Sequence, residues 1–382
     1  MPAAPHARSG SGPLPRADRT GTLPEVPGVL TGDQSRATVA WIAAQQDGDG
    51  ALPWSRGEQL DPWDSVEAAM ALDVGGEHDR AAAAYRWLAG RQRTDGSWAS
   101  EYRDGVESAP AAESNHAGYL AVGAWHSWLT TGDEALVAEL WPAVRRGLDL
   151  VTRMQLPGGA VGWALRPDGT ADGTALLTGN ASLFQALRCG IALAGLHGEA
   201  QPDWEVAVTG LGTALRTRPE DFADRARYSM DWYYPVLGGA VTGAAARDRL
   251  ATEWDRFVVP GLGARCVSDR PWVTGAETCE LAMALAVADQ PDAALEQLTA
   301  MQHLRADDGS YWTGLVFADG KRWPVERTTW TAAAVVLAAD ALTEATPASG
   351  LFPDPGAIPA AGLPGPLRSV DSVIEGAGTV LP

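Results

Sequence analysis

Two apolar patterns alternate along this chain. In Ala135-Leu-Val-Ala-Glu-Leu-Trp-Pro-Ala-Val-Arg-Arg-Gly-Leu-Asp-Leu-Val the apolar positions 136, 137, 140, 141, 144, 148 and 151 keep a helical period. Such a helix buries one stripe and wets the other. The same reading applies to Gln34–Gln46, Ala81–Gln92, Ala135–Gln155, Glu205–Arg218, Ala245–Phe257 and Asp292–Arg305. Between these lie stretches apolar nearly all round: Ala68-Ala-Met-Ala-Leu, Gly118-Tyr-Leu-Ala-Val-Gly-Ala-Trp and Thr331-Ala-Ala-Ala-Val-Val-Leu-Ala-Ala. A helix with no polar face is buried on every side.

The buried helices start in segments rich in acids, small polar residues and aromatics. These are Asp61-Pro-Trp-Asp-Ser-Val-Glu, Glu113-Ser-Asn-His-Ala-Gly-Tyr, Leu177-Thr-Gly-Asn-Ala-Ser-Leu-Phe, Tyr228-Ser-Met-Asp-Trp-Tyr-Tyr, Trp272-Val-Thr-Gly-Ala-Glu-Thr and Arg327-Thr-Thr-Trp-Thr. They recur roughly every 50 residues, the period of a stacked supersecondary unit. The expected fold is all-α: an (α/α)6 toroid of six helical hairpins, inner and outer rings, with short β-hairpins in loops such as that near Ala160-Val-Gly-Trp-Ala-Leu. One toroid domain is expected over residues 31–344, after a flexible Pro/Gly/Arg/Ser-rich leader at 1–30 and before a Pro/Gly-rich tail at 345–382.

Composition narrows the partners. The formal net charge is −19 and Lys321 is the single lysine, a balance that repels phosphate backbones and anionic lipid. Nucleic acid and membrane insertion are therefore excluded, and a small molecule is the expected partner. Cys189, Cys266 and Cys279 are widely spaced in apolar contexts and read as buried small hydrophobes. Neither they nor the dispersed His78, His126, His197 and His303 have the spacing of a metal site, so no metal or cofactor is expected. Residues 1–30 lack a signal-peptide core, which reads as a cytoplasmic location.

Four loops after outer helices carry a Gln…Gly…Trp pattern: Gln46 to Trp54, Gln92 to Trp98, Gln155 to Trp163 and Gln302 to Trp312. They resemble the Gln-Trp repeats of terpenoid cyclases and protein prenyltransferases. The expected role is structural, the glutamine bonding loop backbone and the indole covering a helix end. The segment from Leu129 to Leu150 looks instead like an outer hairpin of six-hairpin glycosidases. Both families share the toroid, and the resemblances together span residues 31–344. The cyclase motif Asp-x-Asp-Asp is absent, since Asp47-Gly-Asp-Gly lacks its final pair, and the prenyltransferase zinc set has no match.

In such a toroid all inner-helix N-termini, with their free N–H groups, face one end. Gathered there are Asp61, Trp63, Asp64 and Glu67; Glu113, Asn115 and His116; Asn180; Tyr228, Asp231, Trp232, Tyr233 and Tyr234; Asp269, Arg270, Trp272, Glu277 and Glu280; and Glu326, Arg327 and Trp330. Asp64, Ser114, Asn180, Thr274 and Thr328 could simply cap helices, and Glu67 and Glu280 could simply pair with Arg. The joint pattern fits better a polar pit in which crowded carboxyls raise one another's pKa.

That inventory points to an enzyme acting on a carbohydrate or glycoside, with Glu277 as acid, Asp64 as base, and Asp231 and Glu113 as further catalytic candidates. Asp61, Trp63, Asn115, His116, Asn180, Tyr228, Trp232, Tyr233, Asp269, Arg270, Trp272, Glu280, Glu326, Arg327 and Trp330 are the expected substrate contacts. The same groups could run an epimerase or lyase through His116 or a tyrosine. A second reading is acid-initiated carbocation chemistry on an isoprenoid, with Asp231 beside Trp232, Tyr233 and Tyr234. A third is a non-catalytic ligand-binding toroid.

Overall fold

The computed structural model describes residues 23–166 and 168–352. Thirteen α-helices account for most of them. The first three hairpins pair α1 (Gly32–Gln45) with α2 (Pro62–Val74), α3 (His78–Arg91) with α4 (Ser114–Thr131), and α5 (Glu134–Arg153) with α6 (Leu177–Leu196). The fourth pairs α7 (Pro202–Thr217) with a short α8 (Ser229–Leu237). The fifth outer helix is split into α9 (Gly243–Thr252) and α10 (Trp254–Phe257) before α11 (Gly275–Val287), and α12 (Pro291–Ala300) precedes α13 (Thr329–Thr343).

Local signals set these ends. Thr31 and Gln34 form a reciprocal capping box on α1, while Asp61 caps α2 ahead of Pro62. Helices α2, α4, α6, α8, α11 and α13 each pack on the next, and α13 packs back on α2, closing the inner ring. Small residues permit the close approach. A Cβ on Gly147 of α5 would lie 2.1 Å from the Ala117 carbonyl of α4, so the outer helix rests directly on inner-helix backbone. The expected all-α toroid is the observed fold.

The glutamine loops act as expected in three of four cases. Gln46 Nε2 donates to Gly50 O and to Arg80 O; Gln92 Nε2 donates to Gly96 O and Ala143 O; Gln155 Nε2 donates to Gly159 O and Ala207 O. Each amide therefore joins its own loop to the next outer helix. Gln302 differs, donating within its own turn to Leu298 O, and Thr38 Oγ1 makes the tie to Gly309 O at 2.9 Å instead.

Strands are short. β1 (Glu101–Arg103) pairs with β2 (Val106–Ala109), and β5 (Val258–Val259) with β6 (Gly263–Ala264). The segment after Ala160 does not form its main strand pair locally: β4 (Ala164–Leu165) pairs with β3 (Ala112–Glu113), joining the second and third units. β7 (Trp272–Thr274), β8 (Gly314–Val316) and β9 (Lys321–Arg322) make a three-stranded antiparallel sheet between the starts of α11 and α13.

Packing reaches past residues 31–344. Val26 and Leu30 at one end and Leu351 and Phe352 at the other are buried in the same core. The rest of the expected leader and tail, residues 1–22 and 353–382, lies outside the described residues. Among the described residues no helix is long and apolar enough to cross a membrane.

Candidate active site

Glu67 lies one turn into α2 and is 4% exposed. Its Oε1 accepts from Trp63 Nε1 and from Tyr119 OH, both at 2.8 Å, and its Oε2 accepts from Trp330 Nε1 at 2.8 Å. Three inner helices thus hold one carboxyl. Burial raises its pKa, and the three donors oppose that rise without cancelling it. Its partners are aromatic donors, not the Arg of the alternative reading.

Glu280 of α11 is a second buried acid, close enough to Glu67 for their charges to interact. It accepts from Tyr233 OH and, at 3.2 Å, from Tyr234 OH, both on α8. Burial and the neighbouring Glu67 and Glu277 carboxylates push its pKa well up. Trp63 completes the floor between the two acids, its ring centroid 4.9 Å from Tyr119 and 5.5 Å from Tyr234.

Asp64 stands on the next face of α2, deep in the pit yet in contact with solvent. Burial, then the charges of Asp61, Glu67 and Glu280, push its pKa well above the ordinary aspartate value. The buried Trp54 Nε1, which has no hydrogen-bond partner, faces its carboxyl. Such crowding disfavours a charge on Asp64.

Asp61 follows a different course. Its Oδ1 accepts from Trp63 N and Asp64 N, at 2.7 and 3.1 Å, and its Oδ2 lies 3.3 Å from His116 Nε2. Burial alone would raise its pKa, but the imidazole and the two backbone donors outweigh burial and lower it. Burial likewise opposes charge on His116, and the Asp61 carboxylate overcomes it, raising the histidine. The two form an ion pair beside Asp64. Glu277, 5% exposed in the first turn of α11, neighbours Glu280 and the Cys266 thiol. Burial and Glu277 push that thiol up, so Cys266 is a neighbour of the acid and not merely a core filler. Glu113 ends β3 as the residue before α4, and Asn115 in the first turn of α4 sits against Gly179.

Several other expected contacts are bonded to the protein's own groups. Every polar side-chain atom of Asn180 is bonded to backbone: Oδ1 accepts from Val161 N, and Nδ2 donates to Val161 O and Leu176 O. Asp231 Oδ1 accepts from Thr178 N and Oγ1, so it caps the neighbouring helix α6. Trp232 points outward, donating to Arg249 O and stacking on Phe257 with ring centroids 5.3 Å apart. Adjacent helical positions diverge by about 100°, so Tyr233 enters the pit and Trp232 leaves it. Arg327 donates to Asp308 and Ser310 and fixes a loop. Tyr228 lies under Arg225, Asp269 pairs with Arg227, and Arg270 is exposed, all at the rim. Trp272 is tied to Trp323 from its place on β7, and Glu326, raised by burial, accepts from Thr313.

Sequence reasoning did not assign Tyr119 or Trp54 to the site. Tyr119 falls one turn after His116 on α4, a spacing that could have marked it.

No protein-family model matches the chain. It is 54% identical over 335 residues, 88% of this chain and 93% of the relative, to the MMP endo-(1,4)-3-O-methyl-alpha-D-mannosidase of Mycolicibacterium hassiacum. Among solved structures it resembles a wild-type glycosidase (TM-score 0.65, 14% identity, 82% of this chain and 97% of that one). It also resembles the GH63 mannosylglycerate hydrolase of Thermus thermophilus (TM-score 0.61, 14% identity, 79% and 99%). A D-mannose isomerase aligns with TM-score 0.61 at 9% identity, over 80% and 96% of the two chains. The structural likenesses carry the toroid fold.

Proposed function

The chain belongs to the family of the MMP endo-(1,4)-3-O-methyl-alpha-D-mannosidase, and we propose that it cleaves internal (1→4) linkages of a 3-O-methylated α-mannan. Membership makes it a glycoside hydrolase, which sets aside the isoprenoid and non-catalytic readings. The groups gathered at the helix starts agree with this: they are crowded carboxyls bonded to tyrosine and indole donors, not the apolar wall a polyprenyl chain needs.

The observation that carries the mechanism is the crowding of the Asp64 carboxyl by those of Asp61, Glu67 and Glu280, which favours the acid role for Asp64 over the base role that the sequence suggested. Asp64 gives its proton to the glycosidic oxygen as the bond to the anomeric carbon breaks. Glu277, on α11, is the carboxylate that takes the proton of the attacking water. Asp61, held ionised by His116, keeps negative charge beside Asp64 so that the proton stays there until transfer. Glu67 and Glu280 remain fixed by their aromatic donors and hold Trp63 and the tyrosines in place for the sugar.

The experiment is a digest of (1→4)-linked 3-O-methyl-mannose oligosaccharides followed by mass spectrometry. Fragments of intermediate length are expected from the outset. Release of single sugars only, or no cleavage, would overturn the reading.

A further inference from the structure

Trp323 is 54% exposed and Val325 is 79% exposed, which sets them apart in a protein whose other tryptophans are mostly buried or half-buried. They follow β9, at the edge of the three-stranded sheet. The Trp323 ring is held, not loose. Trp272 Nε1 donates to Trp323 O at 2.6 Å, the two rings meet edge to face at 4.7 Å, and Trp323 N donates to Gly314 O. The sheet in turn is joined to the start of α11, where Gly275 N donates to Thr313 O. Glu277 lies two residues further on. From Trp272 to Glu277 the backbone advances only about 11 Å, two strand steps and three helical rises.

We propose that Trp323, with Trp272 and Val325, forms a subsite that takes the methylated sugars beyond the unit being cleaved. The proposal rests on the reading of this enzyme as an endo-acting hydrolase of a 3-O-methylated mannan. Endo cleavage places sugars on both sides of the bond, so the chain must run out of the pit over its rim. An O-methyl group replaces a hydroxyl donor with an apolar surface, and a row of such groups offers one apolar edge. A rigid, exposed indole with an aliphatic neighbour, tied through Trp272 to the strand that leads into α11, matches that edge and would be poorly hydrated without it. The polymer is neutral, so a platform made of apolar surface suits it better than the charged rim at Arg225 and Arg227.

The test uses Asp64→Asn protein, which cannot turn over, with and without Trp323→Ala, titrated calorimetrically with methylated oligosaccharides of two and of about ten sugars. Loss of one stacked ring predicts about tenfold weaker binding of the long chain and less than twofold change for the disaccharide. Equal affinities for the long chain with and without the ring would overturn the subsite alone. Equal losses for both lengths would place the ring inside the cleaved-unit site and overturn it too. If Asp64→Asn protein binds neither length, the substrate reading falls and the subsite falls with it. Because the ring is exposed, an unchanged unfolding temperature is expected for Trp323→Ala and separates a binding loss from misfolding.

Discussion

The indole of Trp330, on the last inner helix, donates to Glu67 Oε2 on the first at 2.8 Å. The seam where the chain closes its ring is therefore also a wall of the pit. Replacing the indole by phenyl in Trp330→Phe leaves a buried carboxylate oxygen without a donor. A loss of about 1–3 kcal/mol is expected, read as a lowered unfolding midpoint in denaturant. An unchanged midpoint would mean that the other two donors suffice.

Asp64 makes a pH prediction with a definite sign. A folded pKa raised above the unfolded 3.8 gives stability that is complete below that value and is lost as pH rises through the folded pKa. Asparagine imitates the protonated form at every pH. Asp64→Asn should thus match the parent in acid and become progressively more stable than the parent as pH rises. Parallel thermal-unfolding curves across pH would contradict this.

The Asp61–His116 pair has a bounded window. The lowered Asp61 contributes above 3.8 and loses its effect as pH falls through its folded pKa; the raised His116 contributes below 6.5 and loses its effect as pH rises through its own. His116→Gln should therefore destabilise most between those two values. About 3 kcal/mol is the expected size for a broken buried pair. Thermal unfolding of both proteins at acid, intermediate and alkaline pH tests the shape of the curve.

The loop ties are a purely structural matter. Gly96 has φ +96° and a Cβ there would lie 2.3 Å from Arg146 O, so Gly96→Ala combines strain with overlap. A loss of about 3 kcal/mol or more is expected. Gln92→Ala, which removes bonds to Gly96 O and Ala143 O, should cost about 1–3 kcal/mol. Calorimetric unfolding ranks the two, and the reverse order would contradict the close-approach argument.

The toroid and the gathering of six helix starts were readable because both follow from periodicity. The inner helices announce themselves by lacking a polar face, as in Thr331–Ala339, and the glutamines by their fixed distance to glycine. Which side chains turn inward was less readable. Tyr233 and Trp232 are neighbours in sequence, yet one binds Glu280 and the other stacks on Phe257. On a nine-residue helix the apolar pattern is too short to fix which of the two, about 100° apart, turns inward. Charge state was hidden for a further reason: the field on Asp64 includes Glu280, a residue from a helix more than 200 positions away. Asn180 and Asp231 carried the residue types of a sugar site and proved to be bonded to helix ends and loop backbone.

Protonation of the glycosidic oxygen by Asp64 and deprotonation of water by Glu277 are the centre of the account, and reducing-end release by Glu277→Gln protein measures them most directly. The assay uses an oligosaccharide the parent enzyme cleaves, with unfolding temperature as a check on the fold. The expected result is a fall of about 10² to 10⁴ in kcat with the fold intact. Near-parental turnover by a folded Glu277→Gln protein would contradict the assignment.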